Sequence, residues 1–383
     1  MNIFIGTFLM NSRNFFALVC VSLFLGSLAH AQDAAPADVD AILKPINSLV
    51  NADTVLIGHV DLAQLDPAKI AESLKKVAQI AVERLESQPG SDAQAESQAS
   101  MVDTQMDMFG TMLEGMINQP RELGVTDMYL LVNGKIMLSV LAQVVIVGDP
   151  AKFPEVKKAF QYDDDKNPNI HVQTSENLLI VNMVSPLAIK NGEKNVANIE
   201  RETAQLKTQK GNIRPELRAA LDKVKKAPIQ AAFSPSPQFI AILGLAQQMA
   251  PQLTQGIDLK GIFANIKWAS FGFDPMRVII AVTVQTPNAS QAQELYDLMV
   301  ETQNARNEAQ FAAMEESGVP EETITQMREN AEKLQKISIP QVKGDQLVMV
   351  INPKYIADYV DVLFPSMALM APYLSILGNR GGN

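Results

Sequence analysis

Three histidines occur in this sequence of 383 residues, and two of them, His59 and His171, lie in strand-like runs. Imidazole is the side chain best suited to acid–base chemistry near neutral pH. His59 shares one face of its run, VLIGHVDL, with Ile57 and Asp61, whereas His171 follows the acidic stretch DDDKNPNI. Residues this far apart in sequence can meet in a fold, but no pattern here predicts that they do. We therefore interpret each as a structural histidine.

The acidic run that begins at Asp163 is the best candidate for a calcium site. An EF-hand loop starting there requires glycine at its sixth position and glutamate at its twelfth. This sequence has Pro168 and Thr174 at those positions, so the match fails twice. An irregular calcium contact remains an alternative to the simpler interpretation of a solvated turn. No H-E-x-x-H pair or Cys/His cluster indicates a zinc site.

Motifs for covalent catalysis and nucleotide binding do not occur in the sequence. It contains no G-x-S-x-G elbow, no P-loop and no G-x-G-x-x-G run. The single cysteine, Cys20, lies in the apolar N-terminal stretch. The sequence therefore predicts no catalytic, cofactor-binding or metal-binding residue and no cofactor, and it favours a protein that is not an enzyme.

The N-terminal residues have the order that is typical of a secretory signal peptide. One arginine precedes an apolar stretch at residues 15–28, which ends in Ala-His-Ala. We expect cleavage after residue 31 and an exported protein, either periplasmic or extracellular. The stretch is shorter than the roughly 20 residues that a membrane span needs. A retained signal is the alternative, and either Met1 or Met10 is the start.

The charge of the chain disfavours some partners. It has 32 Lys and Arg against 42 Asp and Glu, which gives a formal net charge of −10. Phosphate backbones require clustered basic residues, so nucleic acid is not an expected partner. We expect no transmembrane span after signal cleavage, because the apolar C-terminal run is short and interrupted by Pro365 and Pro372. A hydrophobic content of 47% is typical of a folded globular chain.

The tetrapeptide DPAK occurs twice, each time after an apolar, strand-like run. An aspartate at a helix N-cap accepts hydrogen bonds from free backbone N–H groups, and proline fits the first helical position. DPAK therefore predicts a switch from strand to helix. The same pattern of a polar residue followed by proline predicts six such switches, at Asp66-Pro67, Asp149-Pro150, Ser185-Pro186, Ser234-Pro235-Ser236-Pro237, Thr286-Pro287 and Asn352-Pro353.

Three switches lie in each half of the chain, which predicts an internal duplication and an α+β fold. We expect two similar halves, each a mainly antiparallel sheet with helices packed on one face, plus long helical hairpins. One continuous sheet is the alternative. The predicted units are a signal peptide (1–31), an N-terminal helical segment (32–52), a first α+β repeat (53–192) with a helical hairpin at 66–118, a helical linker (193–226) and a second repeat (227–383) with a hairpin at 288–336.

Methionines recur in the helix that closes the first predicted hairpin, at positions 101, 106, 108, 112 and 116. Spacings of four place some of them on one helical face. We interpret them as a stripe that faces the core, with an adaptable binding face as the alternative.

These features favour an exported, non-enzymatic binding or scaffold module of the cell envelope. Its partner would be another protein or a second copy, bound through the helical hairpins. The alternative is a carrier of an apolar ligand, and a hydrolase with a non-standard site is less favoured.

Overall fold

We describe the protein from a computed structural model. It describes residues 38–86, 107–134 without 109, 140–162, 167–184 without 168, 189–190, 193–208, 213–249 and 259–370. The described strands are β1 (Thr54–Asp61), β2 (Val125–Asn133), β3 (Val140–Gly148), β4 (Ile170–Ser175), β5 (Leu178–Val184), β6 (Ile189–Lys190), β7 (Glu193–Lys194), β8 (Ile229–Phe233), β9 (Trp268–Asp274), β10 (Ile279–Gln285), β11 (Gln341–Lys343) and β12 (Gln346–Ile351).

The described helices are α1 (Val39–Leu43), α2 (Pro67–Glu86), α3 (residues 107–108 and 110–122), α4 (Phe153–Ala159), α5 (Val196–Thr208), α6 (Pro215–Val224), α7 (Pro237–Met249), α8 (Leu259–Ala264), α9 (Ala289–Glu316), α10 (Glu321–Ser338) and α11 (Pro353–Met370). Across these described ranges, no helix is both long and apolar enough to cross a membrane.

Ten strands form one antiparallel sheet in the order β11-β12-β10-β9-β8-β1-β2-β3-β5-β4. Its centre is the pairing of β1 with β8, which runs from Leu56 opposite Phe233 to Val60 opposite Ile229. A separate sheet for each half is therefore wrong, and the alternative of one continuous sheet is correct. The physical reason is that β1 and β8 carry buried side chains and leave fewer exposed edges when they pair with each other.

Helices cover both faces of this sheet. One face, which we name the α6 face, bears Ile57 and Ala232 and shares an apolar cluster with α1 and α6. The opposite face, the α9 face, bears Phe271 and Ile146. Phe271 shares a cluster with Leu295 of α9, and the cluster around Ile146 includes side chains of α2, α3 and α4.

The expectation of helices on one face is consequently wrong. Strand β5 is buried on both sides although it lies next to the edge strand β4, since residues 178–182 are all buried in sequence. A strand with apolar side chains on both faces needs cover on both faces. Gly272 shows how close that cover is, because an added Cβ there would lie 3.0 Å from both Val224 and Ala227 on the α6 side.

Four of the predicted switches have the expected capping bond. Asp66 accepts from the N–H of Lys69, and Asp149 accepts from the N–H of Ala151, where a short 3-10 turn precedes α4. Ser236 accepts from Phe239, and Asn352 accepts from Tyr355.

Of the other two switches, one differs from the prediction and one is not described. Asn288, not Thr286, caps α9, because its side chain accepts from the N–H of Gln291 while the Thr286 hydroxyl donates to the carbonyl of Asp345. The switch at Ser185-Pro186 lies outside the described residues; the next described elements are β6 and β7, and α5 begins at Val196.

Helices α9 and α10 lie side by side. A short turn joins them, with Gly318 in the left-handed region at a φ of 80°. Arg328 of α10 contacts Glu308 of α9 and also Glu315 at 3.3 Å. With 28 residues, α9 is about 42 Å long. Near the turn, the two helices share a small apolar cluster of their own, which includes Phe311 and Met314.

Candidate functional site

His59 lies on β1 on the α6 face, and its side chain is 4% exposed. Its Nε2 is 2.9 Å from Oδ1 of Asp127 on the neighbouring strand β2. The imidazole stacks on the ring of Tyr129, with 4.5 Å between the ring centroids and 17° between their planes. These contacts hold the ring of His59 in one orientation, which fits the structural role that the sequence predicts.

Burial and hydrogen bonding act in opposite directions on the Asp127 carboxyl. Burial opposes ionisation, but hydrogen bonds from His59 and Thr126, together with attraction to His59, outweigh it. The pKa of Asp127 therefore lies below its ordinary value. Asp127 is ionised at neutral pH and accepts from His59 as a carboxylate.

Tyr129 ties the sheet to the N-terminal segment. Burial, followed by the nearby carboxylates Asp127 and Asp61, raises the pKa of its phenol well above the usual range. The neutral hydroxyl donates to the carbonyl oxygen of Ile42 in α1 at 2.9 Å. Tyr129 is therefore a neutral hydrogen-bond donor that anchors α1.

The His59–Asp127 pair resembles two of the three residues of a hydrolase triad, namely the general base and the acid that orients it. Nδ1 of His59 is buried without a hydrogen-bond partner. In the part of the chain that the structure describes, no hydroxyl or thiol hydrogen-bonds to either ring nitrogen of His59. The side chain directly opposite His59 on β8 is Gln230. The arrangement supplies no nucleophile for acyl transfer.

His171 lies on β4, at the end of the sheet, four strands from β1. At the usual spacing between strands, this places the two histidines about 19 Å apart. The structure does not bring His59 and His171 together, and a site built from both is excluded. His171 is buried beside Asn182, whose amide donates to the His171 carbonyl oxygen at 3.1 Å.

Further polar side chains are buried on the α6 face, and the sequence reasoning missed them. Gln143 and Asn182 are fully buried and joined by a hydrogen bond of 2.8 Å. Gln230 and Ser270 are also buried and lie on two central strands. The sequence feature that could have identified them is a single polar residue inside an apolar run, as in AQVVIVG and APIQAAF. Gln143 and Asn182 join the neighbouring strands β3 and β5, whereas the Gln230 side-chain oxygen and the Ser270 hydroxyl are buried without a hydrogen-bond partner.

The acidic run from Asp163 lies outside the described residues. Among the residues that the structure does describe, no three His, Cys, Asp or Glu side chains are close enough to hold a metal ion. Two surface grooves occur, of about 410 and 420 Å³. One lies beside Phe153 and Lys157, and the other beside Arg218 and Asp222. Neither is lined by methionine.

The methionines of α3 point away from the core. Met108, Met112 and Met116 are 72%, 38% and 43% exposed, whereas Ile117 on the other side of the helix is buried. Their spacing of four residues places the three on one side of the helix, and we name them the methionine face. The interpretation of a core-facing stripe is wrong for these three, while Met101 and Met106 lie outside the described residues.

Comparison with known proteins leaves the chain without a family. No protein-family model matches the sequence, and no curated protein matches it. Among solved structures, crystal form III of TP0453 matches at 9% identity and a TM-score of 0.33, covering 82% of this chain and 97% of that one. Crystal form I of TP0453 matches at 10% identity and the same TM-score, covering 86% and 100%. A likeness this distant carries no conclusion about function.

Proposed function

We propose that the protein is an exported, non-enzymatic binding module that contacts a partner protein through the methionine face of α3. The observation that carries the proposal is the exposure of Met108, Met112 and Met116 on one side of one helix. Methionine is flexible and polarisable, so a row of exposed methionines adapts to apolar partners of different shape.

Exposed apolar side chains are concentrated on this helix. Among the large apolar residues whose side chains are described, five are exposed: Met108, Met112, Met116, Met183 and Val196. Single exposed apolar residues are normal on protein surfaces, whereas a contiguous group indicates an interaction site. The three methionines form such a group, and no helix or strand of the described chain covers them.

The His59–Asp127 pair supports a binding module over an enzyme. The second ring nitrogen of His59, Nδ1, is buried beneath the helices of the α6 face and does not open to solvent. A general base has to reach the proton that it removes from a substrate. A substrate could reach this nitrogen only if the packing around α6 opened.

An internal duplication belongs to the same proposal. From β1 outward the sheet order is β1-β2-β3-β5-β4, and from β8 outward it is β8-β9-β10-β12-β11. In each half a first strand is followed by two hairpins in the same positions. The predicted helical hairpins are also part of the proposal: α2 packs beside α3, with Gly110 close to Ala71, and α9 lies beside α10.

The proposal is tested by capture from the cell envelope. The tagged full-length protein is cross-linked in its own envelope fraction and recovered as wild type, as Met112→Glu and as Met183→Glu. Met183 is the matched control, because it is an exposed methionine on a different surface. We expect proteins that co-purify with wild type and Met183→Glu to be lost from Met112→Glu, since a charge on the methionine face opposes apolar contact.

Two results would contradict the proposal. One is the recovery of the same partners by Met112→Glu and by wild type, and the other is a wild-type sample without any specific partner. Circular dichroism of each variant checks that the folded structure is retained, which we expect because both positions are solvent-exposed.

A further inference from the structure

Resting on the proposed function, we infer that the methionine face binds a basic amphipathic helix whose backbone approaches α3 closely at Gly115. Three features of α3 support this partner class: an unexplained glycine, a surface strip around it whose single charge is the carboxylate of Glu122, and two further carboxylates along one margin of the strip.

Gly115 lies within α3, is exposed, and has a spacing to the methionines that places it among them. Glycine is among the least favourable residues in a helix interior, so it needs a compensating reason there. A Cβ added at Gly115 would meet nothing within 4 Å. Packing within the chain therefore does not explain the glycine. Close approach of a partner's backbone does, because only glycine leaves that space free.

The surface around Gly115 carries a single charge, that of the exposed Glu122 at the C-terminal end of α3. At 100° per residue, the three methionines, Gly115, Thr111 and Gln119 fall within about 140° of the circumference of α3. Thr111, Gly115 and Gln119 are exposed like the methionines. The strip is long enough for three helical turns, which matches the i, i+3, i+4, i+7 pattern by which a helical partner presents its apolar side chains.

Two carboxylates follow one margin of this strip, and the half-buried Arg121 on the same side donates to the carbonyl oxygens of Leu62 and Leu65. Asp107 and Glu114 are exposed and seven residues apart, which places them on the same side of α3. Lys75 of α2 is 3.9 Å from Asp107, and both side chains are well exposed, so this pairing neutralises the margin weakly. The whole chain is acidic as well, with a net charge of −10. A partner with lysine or arginine beside its apolar face complements this margin.

A second copy of the chain complements it poorly. In an antiparallel pair of α3 helices, the acidic margin of one copy would face the acidic margin of the other. In a parallel pair, Asp107 and Glu114 would have no counter-charge from the partner helix. Like charges across an interface oppose association, so the margin favours a different, basic chain.

The inference is tested with labelled peptides and the full-length protein, by fluorescence anisotropy. The first peptide, about 18 residues long so that it spans five helical turns, has leucines on one face and lysines on the other. A second has glutamates in place of the lysines, and a third has the composition of the first in scrambled order. We expect the first to bind about tenfold more tightly than either control, and its affinity to fall with added salt.

Two variants locate the contact. Gly115→Leu fills the space at the proposed crossing point and should weaken binding of the basic helix by about tenfold. The matched control is Ala312→Leu, which adds a side chain to an exposed position of α9, and we expect it to leave the affinity unchanged. Glu114→Lys should weaken the basic helix and strengthen the acidic one.

Equal binding of the ordered and scrambled basic peptides, or unchanged binding by Gly115→Leu, overturns the inference. So does binding of the acidic helix as tightly as the basic one. If no peptide binds while envelope capture still depends on Met112, the partner class is wrong and the proposed function stands. If capture does not depend on Met112, both are wrong.

Discussion

At the scale of single residues, the best-organised contacts are those of His59, Asp127 and Tyr129. The histidine pairs with the aspartate and stacks on the tyrosine, and the tyrosine hydroxyl reaches the carbonyl oxygen of Ile42. Together they join two central strands and hold α1 against the sheet. A group of residues that resembles a catalytic pair therefore acts as a structural link between the sheet and the N-terminal segment.

The Asp127 carboxyl makes stability depend on pH. Its pKa is lower in the folded protein than in the unfolded chain, so its contribution is fully present above the unfolded value of about 4. That contribution is lost as the pH falls through the lower, folded pKa. We expect Asp127→Asn to lower stability at pH 7 and to reduce the acid-induced loss below pH about 4. Urea midpoints from pH 3 to 7 measure this, and parallel curves for both proteins would refute it.

Removing the Tyr129 hydroxyl isolates its bond to Ile42. Tyr129→Phe keeps the stacking on His59 but leaves the Ile42 carbonyl oxygen without this donor. We expect the free energy of unfolding to fall by about 1 kcal/mol, the usual net value of a neutral hydrogen bond. Protection of the α1 amides from hydrogen exchange should fall as well. Unchanged protection of α1 would mean that apolar packing alone holds the segment.

At the scale of elements, capping and face coverage decide where helices begin and where they lie. Polar residues before proline start α2, α7 and α11 by accepting the first free N–H groups. Successive side chains of a strand point to opposite faces of the sheet, and helices cover both faces. Helix α6 packs on the face of Gly272, and α9 packs on the face of Phe271. Helix α6 itself begins without a side-chain capping bond, so capping does not determine which face of the sheet a helix covers.

Two glycines in different elements should respond to alanine in opposite directions. At Gly272 a new Cβ would lie 3.0 Å from Val224 and Ala227, and we expect Gly272→Ala to cost about 1–3 kcal/mol through overpacking. At Gly115 the space is open, and we expect Gly115→Ala to stabilise by about 0.5–1 kcal/mol through its higher helix propensity. Urea unfolding measures both changes. Stabilisation by Gly272→Ala would show that α6 can move away from β9.

At the scale of the whole molecule, the pairing of β1 with β8 makes one structure out of the two halves. The ends of the sheet differ from this centre. The edge strand β11 has three residues, follows Pro340 and ends at Lys343. A short edge with proline and lysine discourages pairing with other chains.

Hydrogen exchange should follow the position of each strand in the sheet. We expect amides of β1 and β8 to exchange most slowly and together, because both strands are hydrogen-bonded on two sides and covered on two faces. Amides of β11, and amides at the ends of α9 and α10 that meet at the Gly318 turn, should exchange faster. Mass spectrometry of peptic peptides measures this order. If all strands of one half exchanged well before those of the other, the halves would be separate folding units.

Local chemistry made much of the secondary structure predictable from the sequence. The strands appear as alternating or continuous apolar runs, and four of six predicted helix starts have the expected cap, because both features depend on residues a few positions apart. The α+β class followed from the order of these elements. The absence of any motif around His59 predicted a structural histidine, and its contacts with Asp127 and Tyr129 fit that interpretation.

Only the tertiary structure decided which strands meet and which helix faces remain exposed. The pairing of β1 with β8 joins residues more than a hundred positions apart, which no local pattern encodes. Methionines four residues apart share a helix side wherever the helix lies, but their spacing does not state whether that side faces the core or solvent. That depends on where α3 packs, and α3 buries Ile117 and leaves Met108, Met112 and Met116 exposed.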